Sequence, residues 1–148
     1  MPYADSPIKA YQHHAYSLGA LFTLGEAAYP CFYSNYIALT TGNGIDFQRF
    51  RNNHLPVFEK HDYLLDALTA SGANVNVLLK YLIDSEYYIE IQADEFYVPN
   101  RRSYNRNHFI HNLLIIGFDD TERIFNTVGY TSSMHLEETD ITYQESWN

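Results

Sequence analysis

The chain has 148 residues, 46% apolar and 18% charged, which fits a single globular domain large enough for a real core. Net charge is −9, and Arg101, Arg102 and Arg106 make the only basic cluster. Nucleic acid, which has to be met by clustered basic residues, is therefore excluded as the main partner. No apolar run is long enough to span a bilayer, no signal peptide is evident, and a single cysteine cannot close an internal disulfide. The expectation is a cytoplasmic protein with no membrane contact.

Residues 1–15 are polar, carry two prolines and read as irregular. Ser17 to Ala28 is mildly apolar with two glycines, and fits either a short helix or a loop. From Cys31 to Leu39, aromatic and apolar residues recur at helical spacing, with Pro30 suited to the start of a helix and Gly42 to its stop. Gly42-Asn43-Gly44 reads as a turn. His61 to Ser71 is amphipathic and ends at Gly72. Asn74 then caps a second helix over Val75 to Asp84, with Val77, Leu78, Tyr81 and Leu82 expected inward.

After Ser85 the pattern changes to strands. Tyr87 to Ala93 has β-branched and aromatic content. Asp94 to Pro99 leads out of it, and Asn100 to Asn107 is a polar loop. Phe109 to Phe118 is long and apolar enough to be central. It turns near Asp119 to Glu122, and Arg123 to Val128 pairs back on it. Met134 to Tyr143 supplies a final edge strand or turn. Helices come first and an antiparallel sheet second, which is an α+β layout.

Three residues then attract attention. Cys31 is predicted in the first turn of its helix, where backbone amides and the helix dipole favour a thiolate. His111 stands at the entrance of the hairpin His108 to Tyr130, and histidine is the side chain suited to move protons near neutral pH. Asn126 is on the returning strand, and a turn near Asp119 to Glu122 makes it a near neighbour of His111. A nucleophile, a base and a group that orients the base are the parts of a thiol-dependent acyl-transfer site. Taken singly, each has an ordinary structural role: a small core residue, a strand-end histidine and a turn amide. His108 and His111 lack a convincing third partner for a metal, so neither a metal nor another cofactor is expected.

The hairpin resembles the histidine-bearing segment of papain-like cysteine enzymes. The shared features are His111, the strand LLII, Gly117-Phe118-Asp119-Asp120, and Asn126-Thr127-Val128-Gly129. Upstream, IEIQADEFYVP and YNRNHFIHN are similar to a narrower set, the papain-like N-terminal domain of the butirosin-type acyltransferase and its relatives in peptide-antibiotic gene clusters. The resemblance covers about residues 29–130 and implies a papain-like α+β fold, with N-terminal helices packed on a C-terminal antiparallel sheet, for the single domain expected over residues 1–148. It also implies acyl transfer from a carrier-protein thioester to an amine, with Cys31, His111 and Asn126 as the catalytic residues. The glutamine that such enzymes place about six residues before the cysteine is replaced here by Gly25, beside Glu26.

Two functions follow as expectations. One is thiol-dependent acyl transfer or amide-bond chemistry in natural-product (peptide antibiotic) biosynthesis, with peptidase action ranked lower. The other is a non-catalytic papain-like accessory module that binds a peptide or carrier domain. Arg101, Arg102, Arg106 and Tyr97 are the candidate substrate-binding residues, the arginines for a carboxylate or phosphate of the substrate or carrier arm. Expected partners are an acyl or peptidyl carrier protein and a small-molecule amine or peptide. The aromatic content, 16%, is also compatible with a homo-oligomer.

Overall fold

The computed structural model describes residues 1–9, 12–36, 39–42, 44–47, 58–59, 61, 63 and 65–144. The chain divides into two units, Pro2–Tyr63 and Leu64–Asn148, the second of which includes Met1. No helix among the described residues is long and apolar enough to cross a membrane.

In the first unit, helix α1 spans Gln12–Leu21 and runs into a three-ten helix, Phe22–Ala28, followed by α2, Tyr29–Tyr36. The expected irregular segment 1–15 is thus partly helical, and Ala15 is fully buried. Gly25 breaks the helical path at φ 58°, ψ −132°, a region that glycine enters without steric cost. Leu18, Leu21 and Ala28 form an apolar cluster in this unit, with Ile8, Phe22, Cys31, Phe32 and Phe58 against it. Gly19 is needed for close approach, because a Cβ there would fall 2.2 Å from the Tyr3 ring.

The helix expected from Cys31 to Gly42 ends earlier, at Tyr36. Strand β1, Leu39–Gly42, follows and pairs antiparallel with β2, Gly44–Phe47. The β-branched pair Thr40-Thr41 suits a strand better than a helix end. Gly42 pairs with Gly44, so the strands flank the expected turn, while Asn43 itself lies outside the described residues.

In the second unit, α3, Leu65–Ala70, ends as its sequence predicts. Gly72 has φ 75°, its N–H donates to Thr69 O at 3.0 Å, and the Ala73 N–H donates to Leu68 O at 3.2 Å. This is a Schellman ending, in which glycine accepts the left-handed position. Helix α4 is Val75–Asp84, and the Asn74 side chain accepts from the Val77 N–H at 3.3 Å. The expected inward face was partly wrong: Val77 and Tyr81 are exposed, and the buried residues are Leu79, Leu82 and Ile83.

Four antiparallel strands follow in the order β3-β4-β5-β6, with bounds Ile89–Asp94, Ile110–Asp119, Ile124–Tyr130 and Leu136–Thr142. Helices N-terminal to an antiparallel sheet make this an α+β protein. Leu79 and Ile83 of α4 pack with Leu113, Ile115, Phe125 and Ile141 of the sheet, closed by Val98 and Tyr143. Leu113 to Ile116 are all buried, as an unbroken apolar run on a central strand requires. The register between β4 and β5 shifts between Ile115 and Gly117, the mark of a bulge.

Candidate functional site

The described side chains do not assemble His111 with Asn126. Asn126 lies opposite Gly117, further along β4, which puts it roughly 16–20 Å from His111 at about 3.3 Å per residue. The faces differ as well. His111 alternates with Leu113 and Ile115, which point toward α4, whereas Asn126 sits between Phe125 and Thr127 and points the other way. Its amide donates to Asp140 Oδ1 at 3.0 Å, an exposed cross-strand bond to its register partner on β6. Asn126 is a sheet residue, and the orienting role expected for it is withdrawn.

His111 has a different partner. Its Nδ1 lies 2.9 Å from Glu95 Oε1, with the Glu95 side chain 12% exposed and that of His111 37% exposed. A carboxylate oxygen only accepts, so the ring proton at Nδ1 goes to it and the Nε2 lone pair is left to take a proton. Glu95 reaches this place because the β3–β4 pairing runs one step past its last ladder pair, Asp94↔Ile110: the Glu95 N–H donates to Phe109 O at 2.9 Å.

A second acid–histidine pair stands beside the first. His108 Nδ1 is 2.6 Å from Asp94 Oδ2. Asp94 Oδ1 accepts the N–H of Phe96 at 3.1 Å and of Phe109 at 3.0 Å. Burial pushes the Asp94 carboxyl up, but the His108 bond and the two backbone N–H groups outweigh it and hold the group below its usual range. The His108 ring stacks on Phe96 with centroids 4.5 Å apart. Both pairs join the end of β3 to the approach to β4. Sequence reasoning missed Glu95 and Asp94. The signal present was an acidic doublet closing one strand, with a His-x-x-His opening the next.

Cys31 is the third residue of α2, but the helix does not begin on bare amides there. The three-ten helix leads directly into it, and the Tyr29 N–H already donates to Glu26 O. Cys31 is half-buried and packs against the Leu18–Leu21–Ala28 cluster. It belongs to the first unit, and His111, Glu95 and Asn126 belong to the second.

The candidate binding residues separate in kind. Arg101, expected on a solvated loop, is 4% exposed; its Nη2 donates to Thr139 Oγ1 at 3.0 Å, and its guanidinium lies against Gly129, where a Cβ would come within 2.8 Å of Cζ. Thr139 Oγ1 in turn meets the fully buried Thr127 Oγ1 at 3.1 Å. Arg101 thus packs on the sheet and does not stand on a solvated loop with Arg102 and Arg106. Arg102 and Arg106 are exposed. Tyr97 is half-buried, its N–H donating to Asp94 O at 3.0 Å and its ring beside Phe96 and His108. Among the described residues no group of three or more His, Cys, Asp and Glu side chains converges as a metal site.

No family model, curated protein or solved structure matches the chain.

Proposed function

We propose that the chain performs thiol-dependent acyl transfer or amide-bond chemistry on a papain-like plan, of the kind used in natural-product biosynthesis. Cys31 takes the acyl group and His111 is the base, with Glu95 in the orienting role first assigned to Asn126. The supporting observation is the Glu95–His111 pair: a half-exposed imidazole with Nδ1 engaged by a mostly buried carboxylate and Nε2 left to accept a proton. That is the arrangement a general base needs. Acyl donors would be carrier-bound thioesters, acceptors would be amines, and the exposed Arg102 and Arg106 would meet an anionic group on donor or carrier.

The test is the rate of Cys31 alkylation and acylation. With this function, Cys31 reacts with iodoacetamide faster than free cysteine near neutral pH, and His111→Ala removes the advantage. Acylation by a thioester followed by transfer to an added amine is lost in Cys31→Ala. If Cys31 reacts no faster than free cysteine and Cys31→Ala leaves turnover intact, the reading fails.

A second reading has its own support. Cys31 packs among apolar side chains, as an inert core cysteine does. On this reading the protein is a non-catalytic accessory module for a peptide or carrier domain. A carrier domain that binds the Cys31→Ala chain with unchanged affinity, while no thioester is ever consumed, would select it.

A further inference from the structure

The Glu95–His111 pair needs something to hold Glu95 in place. Glu95 is the first residue after β3, and His111 lies one residue into β4. Between the two strands runs a long segment, residues 95–109, with no strand or helix of its own. A loop of that length does not by itself fix which of its residues meets which.

Asp94 supplies the missing constraint. One carboxylate oxygen, Oδ1, receives the N–H of Phe96, immediately after Glu95, and the N–H of Phe109, two residues before His111. The other, Oδ2, receives His108 Nδ1. One carboxylate therefore ties together both ends of the segment on either side of the Glu95–His111 bond. The side chain of Asp94 is only 15% exposed, and its bond to the Phe96 N–H is partly buried, whereas those to His108 and Phe109 lie at the surface. The Glu95 N–H to Phe109 O bond completes the crossing. His108 is set in turn, stacked on Phe96.

We propose that Asp94 is the positioning residue of the Glu95–His111 pair, and that its carboxylate, by clasping Phe96, His108 and Phe109, places Glu95 where it fixes the His111 tautomer. This deepens the base role given to His111 above and rests on it only for the link to turnover, since the positioning itself is readable without any substrate. The clasp does not require Asp94 to touch substrate. It predicts that the order of the His111 ring depends on a residue with which His111 makes no bond of its own.

The test uses the full chain labelled with nitrogen-15 in its histidine rings, and reads the two ring-nitrogen resonances of His111. Glu95→Gln provides the reference for a His111 that has lost its carboxylate. In the wild-type chain His111 shows one tautomer, protonated at Nδ1. Asp94→Ala loses that single-tautomer pattern and reads like Glu95→Gln. Asp94→Ser keeps a bond to the Phe96 N–H but cannot reach Phe109, and reads the same way. Asp94→Asn retains an acceptor oxygen for both backbone groups and restores the His111 pattern, while its amide alters the His108 resonances. A merely structural role would change stability without moving the His111 tautomer. A folded Asp94→Ala or Asp94→Ser chain with the wild-type His111 pattern overturns the proposal. So does a folded Asp94→Asn chain that fails to restore it. Loss of the fold in all three variants overturns it too, because Asp94 is then a residue of the whole unit rather than of this pair. If the tautomer follows the clasp but His111→Ala leaves Cys31 reactivity unchanged, the acyl-transfer reading falls and the positioning stands.

Discussion

Replacing Glu95 by glutamine keeps the size of the side chain and removes the charge that orients His111. A glutamine can turn either its oxygen or its NH2 toward Nδ1, so the ring is no longer held in one tautomer. If His111 is the base, turnover falls on the order of 10²-fold, in the range that positioned acid–base catalysis contributes. The fall should appear in kcat more than in KM, because a mis-set proton acceptor does not weaken substrate binding. An unchanged kcat in a folded Glu95→Gln chain would remove Glu95 from the mechanism. His111 was legible in the sequence as a candidate base, from its place before an apolar strand. Its partner was not. The tight turn at Asp119 to Glu122 made β5 the obvious place to look, and Asn126 the obvious side chain. Two physical facts redirected the pairing: the β4–β5 ladder sets Asn126 opposite Gly117, well along β4 from His111, and the other neighbour, β3, joins β4 through a long segment whose register no turn residue announces. Arg101 went astray for a related reason. A polar loop reads as solvated, but a glycine at position 129 opens a slot against the sheet that a guanidinium fills.

Helix α4 shows what element-level patterning does and does not determine. Its bounds were legible, because Gly72 stops the preceding helix and Asn74 accepts a first-turn N–H, each a local event. Its buried face was not, because Val75, Val77, Leu78, Leu79, Tyr81, Leu82 and Ile83 are nearly continuous and admit more than one stripe. The sheet decides between them, since Leu79 and Ile83 are the residues that meet Leu113, Ile115 and Phe125. The helix therefore has a graded sensitivity. Leu79→Ala should cost about 2–5 kcal/mol, as a truncation in a packed core does. Asn74→Ala should cost about 1 kcal/mol through the lost cap. Val77→Ala, at an exposed position, should stay within about 0.5 kcal/mol. Urea unfolding of the three variants orders them, and a Val77→Ala chain as damaged as Leu79→Ala would place the helix on its other face. The helix-before-sheet order and the hairpin β4–β5 were likewise readable. The pair β1–β2 was not, because aromatic spacing from Cys31 onward outweighed the two threonines that end it.

At the scale of the whole molecule, one cluster that joins α4 to the far end of the sheet contributes to the dependence of stability on pH. Lys80 on α4 is bonded to Asp120 in the β4–β5 turn and lies over the Tyr143 ring, 4.5 Å from its centroid. The Tyr143 hydroxyl donates to Asp120 Oδ1 at 2.8 Å. The Asp120 hydrogen bond raises the Lys80 ammonium above its ordinary 10.5. The Lys80 bond, with that of Tyr143, lowers Asp120 below its ordinary 3.8. Burial, then the Asp120 bond, raises Tyr143 above 10.0. A lowered carboxyl contributes stability that is present above its unfolded value and is lost as pH falls through the folded one. A raised lysine or tyrosine contributes stability that is present below its unfolded value and is lost as pH rises through the folded one. The cluster therefore protects the fold between these limits, eroding below 3.8 through Asp120, joined there by the lowered Asp94, and above 10.0 through Tyr143 and Lys80. Because Lys80 and Asp120 share one bond, Lys80→Met should flatten both limbs of the urea-midpoint profile, not the alkaline limb alone. Asp94→Asn should soften only the acid limb, since no lysine shares its bonds. A Lys80→Met chain that keeps the wild-type slope at both ends would show that the pair carries none of the dependence.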